Sequence, residues 1–362
     1  MKVMFVVDHV SGGAGNVIQL LAMAFRDHGE KACILFTNGI NVASRYDLSG
    51  IEVIDFPKEH PEIQGERKFA LISAITKGIR AEIIKSKADA VISFIHNNNT
   101  ICCMAMRNMK IPLVVSERIN TLTCPPSGIW KHLRQIAYAR ADAIIVQCDV
   151  FKYFCHNWYL KKTKTIPNPV LQPPVMHTVA AKEKYTVISA GRLDAQKNFP
   201  LLIRAVALVH EKHPNVRLRI IGEGDQRAEL EKMIASQKLE NIVELAGYTT
   251  NVYRELANAD VYVMTSQDEG FPNALSEAMA VGLPTVSYLC HEGIRDLVQD
   301  GVNGILVTKA TDQAIAEAIC RLIEDEKLRG KIADSAKHVS QEYSVEHVYQ
   351  MWRTAIDESS SK

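Results

Sequence analysis

Short runs of β-branched and aliphatic residues recur along the first half of the chain, at 3–7, 32–36, 90–95, 113–115 and 143–146, and each reads as a buried strand. Between the first two, Val17, Ile18, Leu20, Leu21, Ala24 and Phe25 fall at helical spacing and Gly29 supplies a stop. Continuous apolar strands alternating with amphipathic helices predict βαβ units and a parallel sheet covered on both faces. A proline-rich stretch, Ile166 to Pro174, then interrupts the pattern and is expected to link two domains. The alternation restarts beyond it. Strands are predicted at 186–190, 216–221, 243–246, 261–265 and 285–288, with helices at 201–211, 228–237 and 274–281. The expected fold is α/β with two doubly wound, Rossmann-like domains, at 1–168 and 169–344.

Length agrees, since 362 residues with 47% hydrophobic positions suffice for two cores. The net charge of +1 argues against a nucleic-acid partner, but its distribution is uneven. Residues 1–170 hold 21 basic and 14 acidic side chains, against 21 and 27 in the remainder. The first half therefore suits anionic partners. Eight cysteines without a C-x-x-C pair read as buried thiols in a reducing compartment. The opening apolar run ends at Asp8, too short for a signal peptide, and no stretch is long enough to cross a bilayer. The expected location is cytoplasmic, with peripheral attachment to the inner face of the membrane as the alternative.

Two strand-to-helix connections carry candidate chemistry. Gly191-Arg192-Leu193-Asp194-Ala195-Gln196-Lys197-Asn198 places two cations at a helix start, where unpaired N–H groups and the helix dipole favour a diphosphate. A solvated basic loop is the plain alternative. In the second connection, from Asp268 to Pro284, Pro272 suits a first helical turn and Gly282 a C-terminal cap. Free N–H groups are expected at Asn273, Ala274 and Leu275. Glu269 lies ahead of that turn and Glu277 within the helix, where carboxylates can grip hydroxyl groups, or serve only the dipole and solvent.

Together these segments resemble glycosyltransferase family 4, retaining enzymes of the GT-B class. The resemblance rests on the Gly-Arg-Leu-x3-Lys-Asn run at 191–198, Gly222-Glu223-Gly224, the Glu269/Glu277 pair and Gly282-Leu283-Pro284, in matching order over about residues 186–308. It implies two Rossmann-like domains facing each other across a cleft, with the last helix, from about 345 to 362, packing back on the first domain. It also implies that Arg192 and Lys197 contact the donor diphosphate, that Glu277 binds the ribose, and that Glu269 contacts the sugar with backbone groups of Phe271 and Asn273. Gly191, Gly222 and Gly224 would border the nucleotide, and Tyr248 its base.

The first domain matches less tightly. Asp8 to Asn16 resembles the family's glycine-rich loop, which brings Gly13 toward the donor phosphates, although many relatives carry Glu-Arg where this chain has Gly15-Asn16. Ser116-Glu117-Arg118-Ile119-Asn120 resembles bacterial members that build polysaccharide or lipid-linked oligosaccharide. Glu117, Arg118 and Asn120 are acceptor-side candidates, a structural ion pair being the other reading. Family members place a histidine in this region, and none occurs in the segment.

The resemblance therefore implies transfer of a hexose or N-acetylhexosamine, from a nucleotide-sugar of the UDP type, to a glycan or lipid-linked glycan acceptor. Two basic clusters, Arg67, Lys68, Lys77, Arg80, Lys85 and Lys87, and Trp130, Lys131, His132, Arg134 and Arg140, fit an anionic membrane surface or a solvated helix face. No cofactor is expected. A metal-dependent transferase would want Asp-x-Asp, which the chain lacks, and His210-x-x-His213 has no further ligand close in sequence. A dinucleotide-dependent dehydrogenase fails because the second strand ends Phe36-Thr37-Asn38 without an acidic residue. A non-catalytic nucleotide-sugar-binding module and a sugar-nucleotide epimerase on the same fold remain as alternatives.

Overall fold

The computed structural model describes residues 1–40, 42–63, 68–118, 128–154, 159–178 and 184–360. The chain divides into two compact units, Met1–Pro169 with Val345–Lys362, and Val170–Ser344. The observed division falls one residue from the expected boundary.

The first unit is built on a seven-stranded parallel sheet of β1 (Lys2–Val7), β2 (Lys31–Phe36), β3 (Glu52–Asp55), β4 (Ala90–Phe94), β5 (Leu113–Ser116), β6 (Ala143–Val146) and β7 (Thr163–Thr165), in the order β3-β2-β1-β4-β5-β6-β7. The apolar runs occupy its centre. β3 and β7 are additions that the sequence pattern does not show, because both are short edge strands with polar side chains. The helix Gly12–Asp27 buries Val17, Ile18, Leu21 and Phe25 against the sheet. The C-terminal helix Val345–Ser360 packs into the same core, with Trp352 fully buried near Phe94 and Tyr349 edge-on to Phe25.

The second unit holds a six-stranded parallel sheet of β8 (Tyr185–Ala190), β9 (Val216–Ile221), β10 (Val243–Gly247), β11 (Val261–Met264), β12 (Thr285–Tyr288) and β13 (Ile305–Val307), in the order β10-β9-β8-β11-β12-β13. Its helices include Phe199–Lys212, Asn273–Ala280 and Asp312–Glu324. The proline-rich crossing is not a solvated linker. Asn168 is buried, and the Val170 N–H donates to Tyr343 O at 2.7 Å, so the outgoing chain is tied to the returning one.

In both sheets the strand order reverses between the first and fourth strands of the unit, β1/β4 and β8/β11. Ligands of doubly wound sheets bind at the carboxyl ends of strands beside such a reversal. Those positions are the loops after Val7, Phe94, Ala190 and Met264.

Candidate functional site

At the switch point of the second unit, three strand ends are locked together through glycines. Gly191 N–H donates to Ile221 O at 2.9 Å, Gly222 N–H to Gly247 O at 2.9 Å, and Leu193 N–H to Glu223 O at 3.0 Å. A Cβ on Gly222, whose φ is +141°, would fall 1.8 Å from Gly191 O, and one on Gly224 would fall 2.3 Å from Leu193 O. Only glycine allows these loops to lie against each other.

The loop after β8 is then fastened to the loop after β11. Asp194 caps the turn at Ala195–Lys197, accepting from Lys197 N–H at 3.2 Å. Thr265 Oγ1 donates to Lys197 O at 3.0 Å, Gln196 Nε2 to Asp268 O at 2.8 Å, and Gln267 N–H to Gln196 O at 2.8 Å. Lys197 crosses the face of Gly191, with Cε 2.9 Å from where a Cβ would stand, and its Nζ lies 2.6 Å from Glu269 Oε1. Lysine and carboxylate are 20% and 8% exposed, so this pair closes one wall of a pocket. Ser189, Tyr262, Thr265, Ser266, Pro272 and Ala274 are among its other lining residues. Burial pushes the Tyr262 phenol far up, reinforced by Glu269 and Glu277, so it stays protonated beside the two carboxylates.

Arg192 stands at the rim, 73% exposed and 3.0 Å from Asp194. Glu277 is half-buried in the Asn273–Ala280 helix, Phe271 meets Tyr343 edge-on, and Tyr248 is exposed beyond Gly247. The helix start differs from expectation in one respect. Asn273 N–H is taken by Phe271 O at 2.9 Å, because Pro272 bends the chain before the helix begins, leaving Ala274 and Leu275, both lining the pocket, as the first-turn donors. Sequence reasoning also missed the loop after β12. There His291 Nδ1 accepts from Gly293 N–H at 3.1 Å, and burial lowers the imidazole pKa against the opposing pull of Asp268 and Glu269. Neighbouring Cys290 is pushed up to about 12 by burial and the same two carboxylates.

In the first unit, the glycine-rich loop is folded tightly over the start of the Gly12–Asp27 helix. A Cβ on Gly15 would lie 2.3 Å from His9 O, and buried Gln19 ties Val10 O at 2.6 Å to Gly15 O at 2.9 Å. Gly15 is thus a packing requirement, whereas Gly13 is exposed. Asp8, at the end of β1, is bonded by Asn98 and raised in pKa by burial. A histidine does stand near the Ser116–Asn120 segment, from the adjacent strand end. His96 follows β4, half-buried, with its pKa lowered by burial while Glu117 and Asp8 oppose the shift.

The Ser116–Asn120 candidates separate. Glu117 is buried and accepts from Arg134 Nε at 3.0 Å and Tyr138 OH at 2.5 Å, beside His96. Arg118 is buried too, stacked 3.7 Å over Phe94 and bonded to Asn168, which makes it a strut between the sheet and the chain crossing. Asn120 lies outside the described residues, as does Arg67. The basic clusters also thin out. Arg80 donates to Ala105 O and Arg107 O, Arg140 to Met106 O, Met109 O and Ile111 O, and Arg134 is held by Glu117. These cations satisfy carbonyls and a carboxylate of the fold. Lys77, Lys85 and Lys87 remain exposed, Lys85 in ion pairs with Glu59 and Glu82, and Lys131 and His132 remain exposed on the helix Ile129–Ala137, which buries none of its residues and leaves Ile136 76% exposed. No helix among the described residues is long and apolar enough to cross a membrane.

The chain resembles known proteins in both sequence and fold. Residues 177–339 match the family model described as glycosyl transferases group 1. Over 99% of both chains, the protein is 27% identical to the GalNAc-alpha-(1->4)-GalNAc-alpha-(1->3)-diNAcBac-PP-undecaprenol alpha-1,4-N-acetyl-D-galactosaminyltransferase of Campylobacter jejuni. A second transferase of that organism, N-acetylgalactosamine-N,N'-diacetylbacillosaminyl-diphospho-undecaprenol 4-alpha-N-acetylgalactosaminyltransferase, is also 27% identical, over 92% of this chain and 93% of its own. Among solved structures, HepE of Anabaena in complex with UDP and glucose superposes with a TM-score of 0.81 at 21% identity, covering 99% of each chain. TarM of S. aureus gives 0.81 at 16% identity over 98% of this chain and 99% of its own. The fold is GT-B, and the resemblance to family 4 read from the motifs holds.

Proposed function

We propose that this chain, whose second unit matches the group 1 glycosyl transferases, is a retaining glycosyltransferase of the family 4 kind. It moves a hexose or N-acetylhexosamine from a UDP-linked donor to a lipid-linked glycan during polysaccharide synthesis. The observation that carries this reading is the Lys197–Glu269 contact, made between two strand-to-helix loops at the switch point of the second unit, beside a helix start. Two further facts support it: the transferases it resembles are named for undecaprenol-linked glycans, and two structural neighbours of the same fold, HepE and TarM, hold UDP.

In the proposed reaction, the donor diphosphate sits at the first-turn N–H groups of Ala274 and Leu275, and Arg192 and Lys197 stabilise the charge that develops as it leaves. These groups take the place of a metal ion, so transfer persists in chelator. Glu277 binds the ribose and Glu269 orients the sugar. The acceptor hydroxyl attacks from the face the diphosphate is leaving, and its proton passes to the departing phosphate oxygen. On the first unit, His96, near Asp8 and Glu117, is the acceptor-side candidate that the Ser116–Asn120 segment itself lacks.

A panel of nucleotide-sugars tests the donor assignment. One UDP-sugar is expected to raise the melting temperature and to be slowly hydrolysed without acceptor. Stabilisation without release of nucleotide, for every donor, would make the chain a binding module instead.

Attachment to the membrane rests on a narrower surface than the sequence suggests: Ile129, Lys131, His132 and Ile136. Each basic residue near an anionic leaflet contributes about 1 kcal/mol. Sedimentation with phosphatidylglycerol vesicles is expected to pull down the chain at low salt, and Ile136→Asp is expected to lower the bound fraction several-fold. Equal binding by Ile136→Asp, or none by the unmodified chain, would remove this helix from the account.

A further inference from the structure

His213 ends the Phe199–Lys212 helix, and Cys320 and Glu324 lie one turn apart in the last turns of the Asp312–Glu324 helix. The two helices pack against each other, and an imidazole nitrogen, the thiol sulfur and a carboxylate oxygen come within 4.8 Å of one another. His213 Nε2 is already 2.8 Å from Glu324 Oε1. The trio grades from the buried thiol through the 24%-exposed imidazole to the 58%-exposed carboxylate. Solvent can therefore reach one side. The sequence pattern His210-x-x-His213 offered no third ligand, because the missing donors lie more than 100 residues away and His210 itself turns to Val216 O at 3.0 Å.

We propose that His213, Cys320 and Glu324 bind a zinc-class divalent ion, with water as the fourth ligand, and so pin the ends of two helices in the second unit. The donor set selects the ion: imidazole, thiolate and carboxylate together suit zinc, while a thiolate disfavours magnesium or calcium. Tetrahedral bonds of about 2.0–2.3 Å place ligand atoms about 3.3–3.8 Å apart, so modest side-chain rotations close the observed trio. Both helices direct their C-terminal ends here, and the partial negative charge of those ends favours a cation. Arg329 already answers part of that need from the buried side, donating to Leu322 O and Ile323 O at 2.9 Å each. Lys212, near Cys320, acts against metal, whereas Glu317 acts with it. Burial and then Glu324 raise the Cys320 pKa, so the thiol carries its proton before an ion arrives. Binding displaces that proton to solvent and leaves the thiolate on the metal.

Helices of a doubly wound sheet run opposite to its strands, so their C-terminal ends lie at the edge away from the strand carboxyl ends. The ion is therefore structural and remote from Lys197 and Glu269. Cobalt is the probe, added to the tag-free full chain after chelator treatment. One equivalent is expected to give tetrahedral visible bands and a near-ultraviolet thiolate charge-transfer band, both removed by zinc. Cys320→Ser is expected to lose the charge-transfer band, and His213→Ala to weaken binding at least about 10-fold. Zinc at a hundred times its dissociation constant is expected to raise the melting temperature by roughly 5–10 °C, in the unmodified chain only. No thiolate band in that chain, or the same band in Cys320→Ser, would overturn the proposal. Donor hydrolysis serves as the separate readout: it is expected to continue in chelator whether or not this site binds metal.

Discussion

Replacing Lys197 with methionine is expected to lower transfer at least about 100-fold, the scale for losing one preorganised group that meets developing charge. The structure complicates the reading of such a loss, because Lys197 also neutralises Glu269, which is only 8% exposed. Removing the lysine leaves a buried carboxylate without its ion-pair partner, so stability falls together with rate. A double-mutant cycle separates the two effects. Glu269→Gln in the Lys197→Met background relieves the unpaired charge, and thermal unfolding is expected to recover most of its midpoint. Transfer is expected to stay at least about 100-fold down, since neither the diphosphate cation nor the sugar-orienting carboxylate returns. Recovery of both stability and rate would make the pair a scaffold strut. A near-normal rate in Lys197→Met alone would remove it from the site altogether.

That pair also marks how far the sequence could be read. Local periodicity puts Lys197 and Glu269 at strand-to-helix connections, and the resemblance of the surrounding motifs to family 4 is what singles them out. Their meeting was not legible from either segment, since 72 residues separate them and only the β8/β11 adjacency joins their loops. The same physics explains the errors in the first unit. A lone sequence segment at 116–120 contains no histidine, yet parallel pairing of β4 with β5 sets His96 beside Glu117. Arg80 and Arg140 looked like surface charge because their acceptors are carbonyls at 105–111, contributed by the end of another helix and the loop that follows it. Asn273 lost its expected free donor to a local turn around Pro272, a detail of ψ that composition does not encode. What periodicity gives is the central strands and some of the helices that cover them; what it withholds is most of the edge strands and the contacts made across neighbouring strands.

Gly222→Ala tests whether that cross-strand packing is what holds the site in shape. An alanine there must adopt a φ near +141° and also place its methyl 1.8 Å from Gly191 O. The backbone strain alone is on the order of 1–3 kcal/mol, and relief of the overlap requires the 191–194 loop to retreat. Gly191 cannot move alone, because Lys197 lies across its face and continues to Glu269. The expected result is a loss of about 3 kcal/mol or more, seen as a fall of roughly 6–12 °C in melting temperature, together with at least about 10-fold weaker UDP binding by calorimetry. Gly301→Ala is the control: its φ is also positive, at +68°, but a Cβ there meets nothing within 4 Å. It carries the conformational cost of about 1 kcal/mol without the collision. If Gly222→Ala unfolds and binds UDP as Gly301→Ala does, close approach of the two glycine loops is not what positions Lys197. A clear separation between the two variants ties donor recognition to a backbone contact that no side chain at 222 could permit.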